Sequence, residues 1–332
     1  MRRAFLTLLV AGAVSVCVVS QDVPAGFGAA SFARIGVDAR PLAMGGAGVA
    51  INTGMPIPYY NPARLAAAGP LAAGGMYSEP YGQDLGVSFQ SLSALGRFEM
   101  QTGSSTGIGV ALTWIQMKID DIPVWDEDSP GEVSLFTATS SLLLGSAALS
   151  MGSDVAVGVT VKAYRERILE GQGSGIGFDI GALAAFEVVG IPLSLGVNAM
   201  DLGSTNVRWQ GTTGEPDNFV PWVNKVGLSA GLFEGIALLA VDFDWAVGRP
   251  AREQKIHLGI EINPIGPLFL RAGWSGDLEG SDSKLSAGLG VEFFDSFRLD
   301  YAYVPPRAVF GTGHFISLHV SLPPSEDWLG QR

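Results

Sequence analysis

The sequence predicts an all-β protein, a transmembrane antiparallel β-barrel of about fourteen strands with a small N-terminal plug containing a short helix. Three observations predict it. Apolar residues make up 47% of the 332 residues, whereas charged residues make up only 16%, well under the roughly 25% of a soluble domain. From Leu85 onward, large apolar residues alternate with small or polar ones at period two. The second face of that alternation is mainly Gly, Ser and Ala. A water-facing sheet would carry Lys, Glu and Thr there, whereas small residues suit a narrow or filled barrel lumen.

Residues 1–20 read as a signal peptide. Arg2 and Arg3 precede an uncharged, mostly apolar stretch from Ala4 to Val19, and Val18 and Ser20 suit cleavage before Gln21. The single cysteine, Cys17, lies inside this stretch behind Val16, so neither a lipid anchor nor a disulfide is expected. The 20 basic residues less Arg2 and Arg3 leave 18 against 32 acidic ones, a net charge of −14. That acidity argues against nucleic acid and against an anionic cytoplasmic membrane surface. Residues 133–153 are uncharged but crowded with Ser, Thr and Gly, which favours a strand over a membrane helix.

Residues 21–70 form the expected plug. Asn61 followed by Pro62 is a helix start, because Asn caps the first amides and Pro suits the first helical position. Ala63 to Ala67 continue it as a short helix. Upstream, Met44-Gly45-Gly46-Ala47-Gly48 permits close backbone approach and sharp bends.

Residues 71–322 form the expected barrel. Clear alternating runs cover 85–90, 108–114, 155–162, 176–181, 193–198, 256–262, 286–293, 297–303 and 316–321. Weaker runs at 97–102, 133–148, 224–232, 236–245 and 267–274 bring the count to about fourteen, and an even number puts both ends on one side. Trp114, Trp245, Trp274, Tyr301 and Tyr303 fall near strand ends, where interfacial girdles lie. Long loops are expected at 120–132 and 203–221, and a tail at 323–332.

The stretch ARPLAMGGAGVAINTGMPIPYYNPARLA, from Ala39 to Ala66, resembles the N-terminal signature of the PorV/PorQ proteins within the FadL-type outer-membrane group. Gly45, Gly46, Tyr60, Asn61, Pro62 and Ala63 carry that resemblance. Residues 299–322 look like the closing hairpin of the same family. The resemblance implies an outer-membrane barrel serving protein secretion or scaffolding, with secreted cargo or secretion components as partners besides outer-membrane lipid. The FadL-like alternative implies a transporter of hydrophobic small molecules, and a third reading is a secreted soluble β binding module.

Chemistry is sparse. His257, His314 and His319 are the only histidines. His319 with Ser317 and Ser321 shares one strand face without a placed acid, so a lumen-facing polar row is the reading and no catalytic residue is assigned. Asp242, Asp244, His257, Glu261 and His319 are candidate lumen contacts, with Asp242 and Asp244 placed either to narrow or charge the lumen or to meet Arg34, Arg40 or Arg64 of the plug. Asp120, Asp121, Asp126, Glu127, Asp128 and Glu132 make an acidic loop without EF-hand spacing. No enzyme activity, cofactor or metal site is expected.

Overall fold

The computed structural model describes residues 29–81, 85–101, 105–125, 133–211, 218–247, 254–278, 283–294, 296–305 and 313–322. The signal segment, residues 126–132 of the acidic loop and the 323–332 tail lie outside the described residues. In chain order the strands are β1 (Leu71–Glu79), β2 (Val87–Gln101), β3 (Ser105–Trp125), β4 (Val133–Met151), β5 (Val155–Ile168) and β6 (Gly171–Val188). Then come β7 (Ile191–Met200), β8 (Thr205–Gln210), β9 (Asn218–Val220), β10 (Trp222–Leu232) and β11 (Ala237–Val247). The last are β12 (Gln254–Ile265), β13 (Leu268–Asp277), β14 (Lys284–Phe293), β15 (Phe297–Val304) and β16 (Gly313–Leu322).

β1 pairs antiparallel with β2 on one side and β16 on the other, so the barrel wall closes on itself. Fourteen strands make the wall, with β7 pairing directly to β10. The remaining two, β8 and β9, form a hairpin on the upper part of β6. Among the described residues no helix is long and apolar enough to cross a membrane, and residues 133–151, uncharged as they are, form β4.

The two wall faces follow the alternation. On β5, Ala156, Gly158, Thr160, Lys162, Tyr164 and Glu166 face inward and are buried, while Val157, Val159 and Val161 face outward. Outward Ile176 is 66% exposed and inward Lys162 only 1%. Each exposed Val, Leu or Ile forgoes roughly 1.5–3 kcal/mol of burial in water, a loss that a surrounding hydrocarbon phase removes. The apolar band has a sharp upper limit. Gln90, Gln116, Ser141, Arg165 and Ser174 pair across five neighbouring strands as one outward polar row.

Two strand expectations need correction. Residues 85–90 and 97–102 are not separate strands, because β2 runs unbroken from Val87 to Gln101. The first barrel strand, β1, reads LAAGGMYSE and has no run of large alternating residues to betray it. The expected loops are also partly strand. Residues 120–125 extend β3 past a bulge between Ile119 and Ile122, and 205–210 and 218–220 are β8 and β9.

Candidate functional site: the plugged lumen

Residues 29–70 fill the turn end of the lumen. Asp38 starts α1 (Ala39–Ala43), its side chain accepting from Arg40 N. Gly45 and Gly46 then take left-handed φ values of 72° and 90°, a region that costs L-residues energy. A Cβ on Gly45 would also strike the carbonyls of Trp274 and Leu258. Opposite it, a Cβ on Gly273 would strike the backbone of Met44 and Gly45. The plug therefore rests backbone to backbone on the wall.

Asn61 caps the 3-10 turn Pro62–Ala67, its Oδ1 accepting from Ala63 N at 3.0 Å. Its Nδ2 donates to Val49 O in the plug and to Ala182 O in β6, each at 3.0 Å. Pro62 and Ala63 lie against Gly158 of β5. Asn198 Nδ2 donates to Tyr60 O at 2.9 Å, and burial pushes the Tyr60 phenol well above its usual pKa.

The ionic anchors are concentrated on β12, β13, β15 and β16. Arg40 donates through Nε to Glu261 Oε2 at 2.8 Å and through Nη2 to Glu261 Oε1 at 2.7 Å. Its remaining donors reach Thr53 O at 2.6 Å and Thr53 Oγ1 at 3.0 Å. Burial alone would lower the Arg40 pKa, but the Glu261 carboxylate outweighs it and raises it. Glu261 also takes Arg271 Nε at 2.6 Å and Arg298 Nη2 at 3.3 Å, and Asp300 pairs with Arg271 Nη2 at 2.7 Å. His319 Nε2 lies 3.3 Å from Asp38, while its Nδ1 lies 3.7 Å from Asp300. Each imidazole nitrogen thus faces a different carboxylate, and two arginines already pair with Asp300, so the trio ties plug to wall rather than framing a cation. Arg64 is buried without a carboxylate partner among its described contacts, and burial together with the Arg40 charge brings its pKa down to about 10.

The expected partners of Asp242 and Asp244 are corrected. Asp242 Oδ2 accepts from the amides of Gly48 at 2.6 Å and Val49 at 2.9 Å, not from an arginine. Asp244 pairs with Lys225 and, at 3.2 Å, with His257 Nε2. His257 Nδ1 lies 2.6 Å from Gly45 O. Ser317, beside His319 in sequence, accepts from Ala39 N at 2.7 Å and so serves the plug as well. His314 faces outward, with the Tyr301 hydroxyl 2.7 Å from its Nδ1.

Arg271, Arg298 and Asp300 escaped the sequence reading as site residues, although Arg298 and Asp300 stand on the small-residue face of a clear run. So did a second buried cluster. Lys162 Nζ lies 2.9 Å from Asp179 and 2.8 Å from Asp201, which also accepts from Tyr164 and Thr205. It sits where β6 changes partner from β7, at Ile180, to β8, at Ser174.

Above these anchors the lumen is apolar on one side, along β16 and β1 to β4, while buried Lys162 and Glu166 stand at the same levels on β5. Phe89, Ile115, Leu142, Leu144, Phe315 and Met76 form one buried cluster with Phe32 and Tyr59 of the plug. The plug reaches this half, because Ala30 N donates to Glu166 Oε1 at 2.8 Å and Ala29 N to Phe219 O at 3.2 Å.

No family model and no curated protein matches the chain. Its fold is similar to that of solved hydrocarbon channels. The P. putida toluene transporter TodX superposes with a TM-score of 0.59 at 12% identity, over 85% of this chain and 97% of that one. The Ralstonia pickettii toluene transporter TbuX gives 0.55 at 14%, over 87% and 99%. The monoaromatic hydrocarbon channel CymD gives 0.53 at 15%, over 87% and 98%. At such identities the likeness is one of fold alone.

Proposed function

We propose that this chain is an outer-membrane channel for hydrophobic small molecules, with its N-terminal plug as the closure. The observation that carries the reading is the apolar side of the upper lumen, built by Phe89, Ile115, Leu144 and Phe315 on β2, β3, β4 and β16. Diffusion pores for polar solutes keep a polar, water-filled interior, whereas an apolar solute leaves water favourably for such a lining. The likeness in fold to toluene and monoaromatic hydrocarbon channels supports the same class of substrate.

The secretion or scaffolding role implied by the N-terminal signature gains no comparable support. Gly45, Gly46, Asn61, Pro62 and Ala63 are used up in seating the plug on the wall. Their presence reports how the plug is built and carries no information on cargo.

The test is uptake of radiolabelled toluene by Gram-negative cells with and without the chain, alongside a monosaccharide as polar control. Faster toluene entry with unchanged sugar entry is expected. Equal toluene entry in both strains, with the barrel folded in the outer membrane, would sink the reading, and co-purification with large exported proteins would restore the secretion role.

A further inference from the structure

We propose that a groove on the outer wall along β1 binds a single acyl chain of a membrane amphiphile, whose polar head hydrogen-bonds at Gln90. The groove has a volume of about 790 Å³. Its floor is Ala73 and Gly75 of β1 with Ala94 of β2, all outward-facing. One bank is Ile316, Leu318 and Val320 of β16, and the other is Leu92, Leu112 and Trp114 of β2 and β3. Leu92 is 60% exposed and Leu318 45%, so the banks stand proud of the floor.

The groove does not pierce the wall. Gly74 points inward, where His319 and Met55 already occupy the space that its Cβ would need. β1 keeps an unbroken hydrogen-bonded register with β16 and β2 along the whole floor. The site therefore belongs to the outside of the barrel.

Shape selects the occupant. The slot is one to two strands wide, or roughly 5–10 Å at the usual strand spacing. A second barrel presents a convex wall and cannot fill so narrow a trough, whereas one hydrocarbon chain can. The slot lies in the apolar band that the barrel turns to hydrocarbon, and its lining above the floor is aliphatic or aromatic.

The loop end of the groove has a different chemistry. There Tyr77 and Gln90 close it, and Gln90 Nε2 donates to Gln116 Oε1 at 3.0 Å. This is the level of the outward polar row that limits the apolar band. Gln90 retains its own carbonyl and a second amide hydrogen for a headgroup ester, hydroxyl or amide. An amphiphile with its tail along β1 and its head at Gln90 satisfies both halves of the site.

The inference rests on the barrel lying in a bilayer and not on what crosses its lumen, so it can fail or stand independently of the uptake experiment. The test is native mass spectrometry of the full chain extracted from membranes in a mild non-ionic detergent. A folded barrel carrying one retained lipid is expected. Filling the floor with Ala73→Leu or Ala94→Leu should lower the lipid-bound fraction about tenfold, the effect of displacing about two methylenes. Gln90→Ala should lower it too without crowding the wall, which keeps the test decisive if a leucine variant fails to fold. Ala147→Leu, outward on β4 away from the groove, should leave it unchanged. Wild-type retention in a folded Ala94→Leu barrel, no retained lipid in the wild type, or a barrel dimer in place of the lipid adduct would each overturn the proposal.

Discussion

Arg40 of the plug and Glu261 of β12 are joined by two parallel hydrogen bonds, at 2.8 Å and 2.7 Å, and both side chains are buried. Such forked pairing fixes geometry as well as charge. The two partners are not equivalent. Removing Arg40 leaves Glu261 with Arg271 and Arg298, so no orphaned carboxylate results. Removing Glu261 leaves buried Arg271 and half-buried Arg298 sharing Asp300, and leaves buried Arg40 with only its Thr53 hydrogen bonds among its described side-chain contacts. Glu261→Ala should therefore cost about 3–5 kcal/mol, the usual loss when one partner of a buried pair is deleted, and Arg40→Ala less. The heat-modifiable gel shift measures this. A lower transition temperature for Arg40→Ala than for Glu261→Ala would contradict the arrangement.

Loosening the plug should also show as leak. Arg40→Ala leaves the wall ladder untouched but removes the tie to Glu261 and to Thr53. Bilayer recordings should show more frequent ion-conducting events in Arg40→Ala than in the wild type, with most of the barrel still folded. Identical conductance in the two proteins would mean that the ionic tie does not hold the plug in place.

Acid should weaken the plug through Asp38. Burial by itself would raise this carboxyl's pKa, but the His319 charge and the Arg40 amide prevail and hold it well below the ordinary aspartate range. A lowered folded-state pKa contributes stability that is complete above the unfolded value, about 3.9, and is lost as pH falls through the folded one. The stability gap between wild type and Asp38→Asn should therefore shrink as pH falls from about 5 into stronger acid. A gap that widened on acidification would reverse the sign and exclude this account.

The wall was legible in the sequence, and the partners of the plug's anchors were not. Period-two patterning depends on each residue's own face, so runs such as Val155 to Val161 declared themselves. β1 did not, because its outward residues Ala73 and Gly75 are small where a groove needs floor space. The total of fourteen came out right because one missed strand, β1, offset one strand divided in two, β2. The plug's contacts depend on which distant strands meet it, and pairing of that kind leaves no local pattern. Asp242 looked like a partner for arginine, yet it binds the amides of Gly48 and Val49, and backbone donors carry no sequence signal. Arg298 and Asp300 were visible as charges on a small-residue face, and such charges are the best available pointer to what a filled lumen holds.

Backbone contact between plug and wall makes Gly45 intolerant of any side chain. Gly45→Ala places a Cβ at a φ of 72° and against the carbonyls of Trp274 and Leu258. Left-handed strain and overpacking each cost about 1–3 kcal/mol. By contrast Gly69→Ala, where a Cβ meets nothing within 4 Å, should be nearly silent. Thermal gel-shift curves of the two variants should separate clearly, and matching curves would show that the plug yields at this contact.

Asn61 offers a test in which the usual ranking of helix caps should invert. Asp and Asn are equally good caps in general, and losing either for Ala typically costs about 1 kcal/mol. Here the side chain is buried and does more than cap. Oδ1 accepts from Ala63 N, while Nδ2 donates to the carbonyls of Val49 and Ala182. Asn61→Asp keeps the cap but turns a donor into a charged acceptor facing two carbonyl oxygens, with Gly181 packed too tightly beside it to admit water. An unpaired buried charge costs more than an unmade neutral hydrogen bond. Asn61→Asp should therefore be more destabilising than Asn61→Ala, by about 1–3 kcal/mol at neutral pH. The difference should narrow as pH falls and the new carboxyl takes a proton, which restores one donor. Heat-modifiable gel shifts of the two variants at neutral and acidic pH measure both effects, and an aspartate variant as stable as wild type would show that the Val49 and Ala182 bonds contribute nothing.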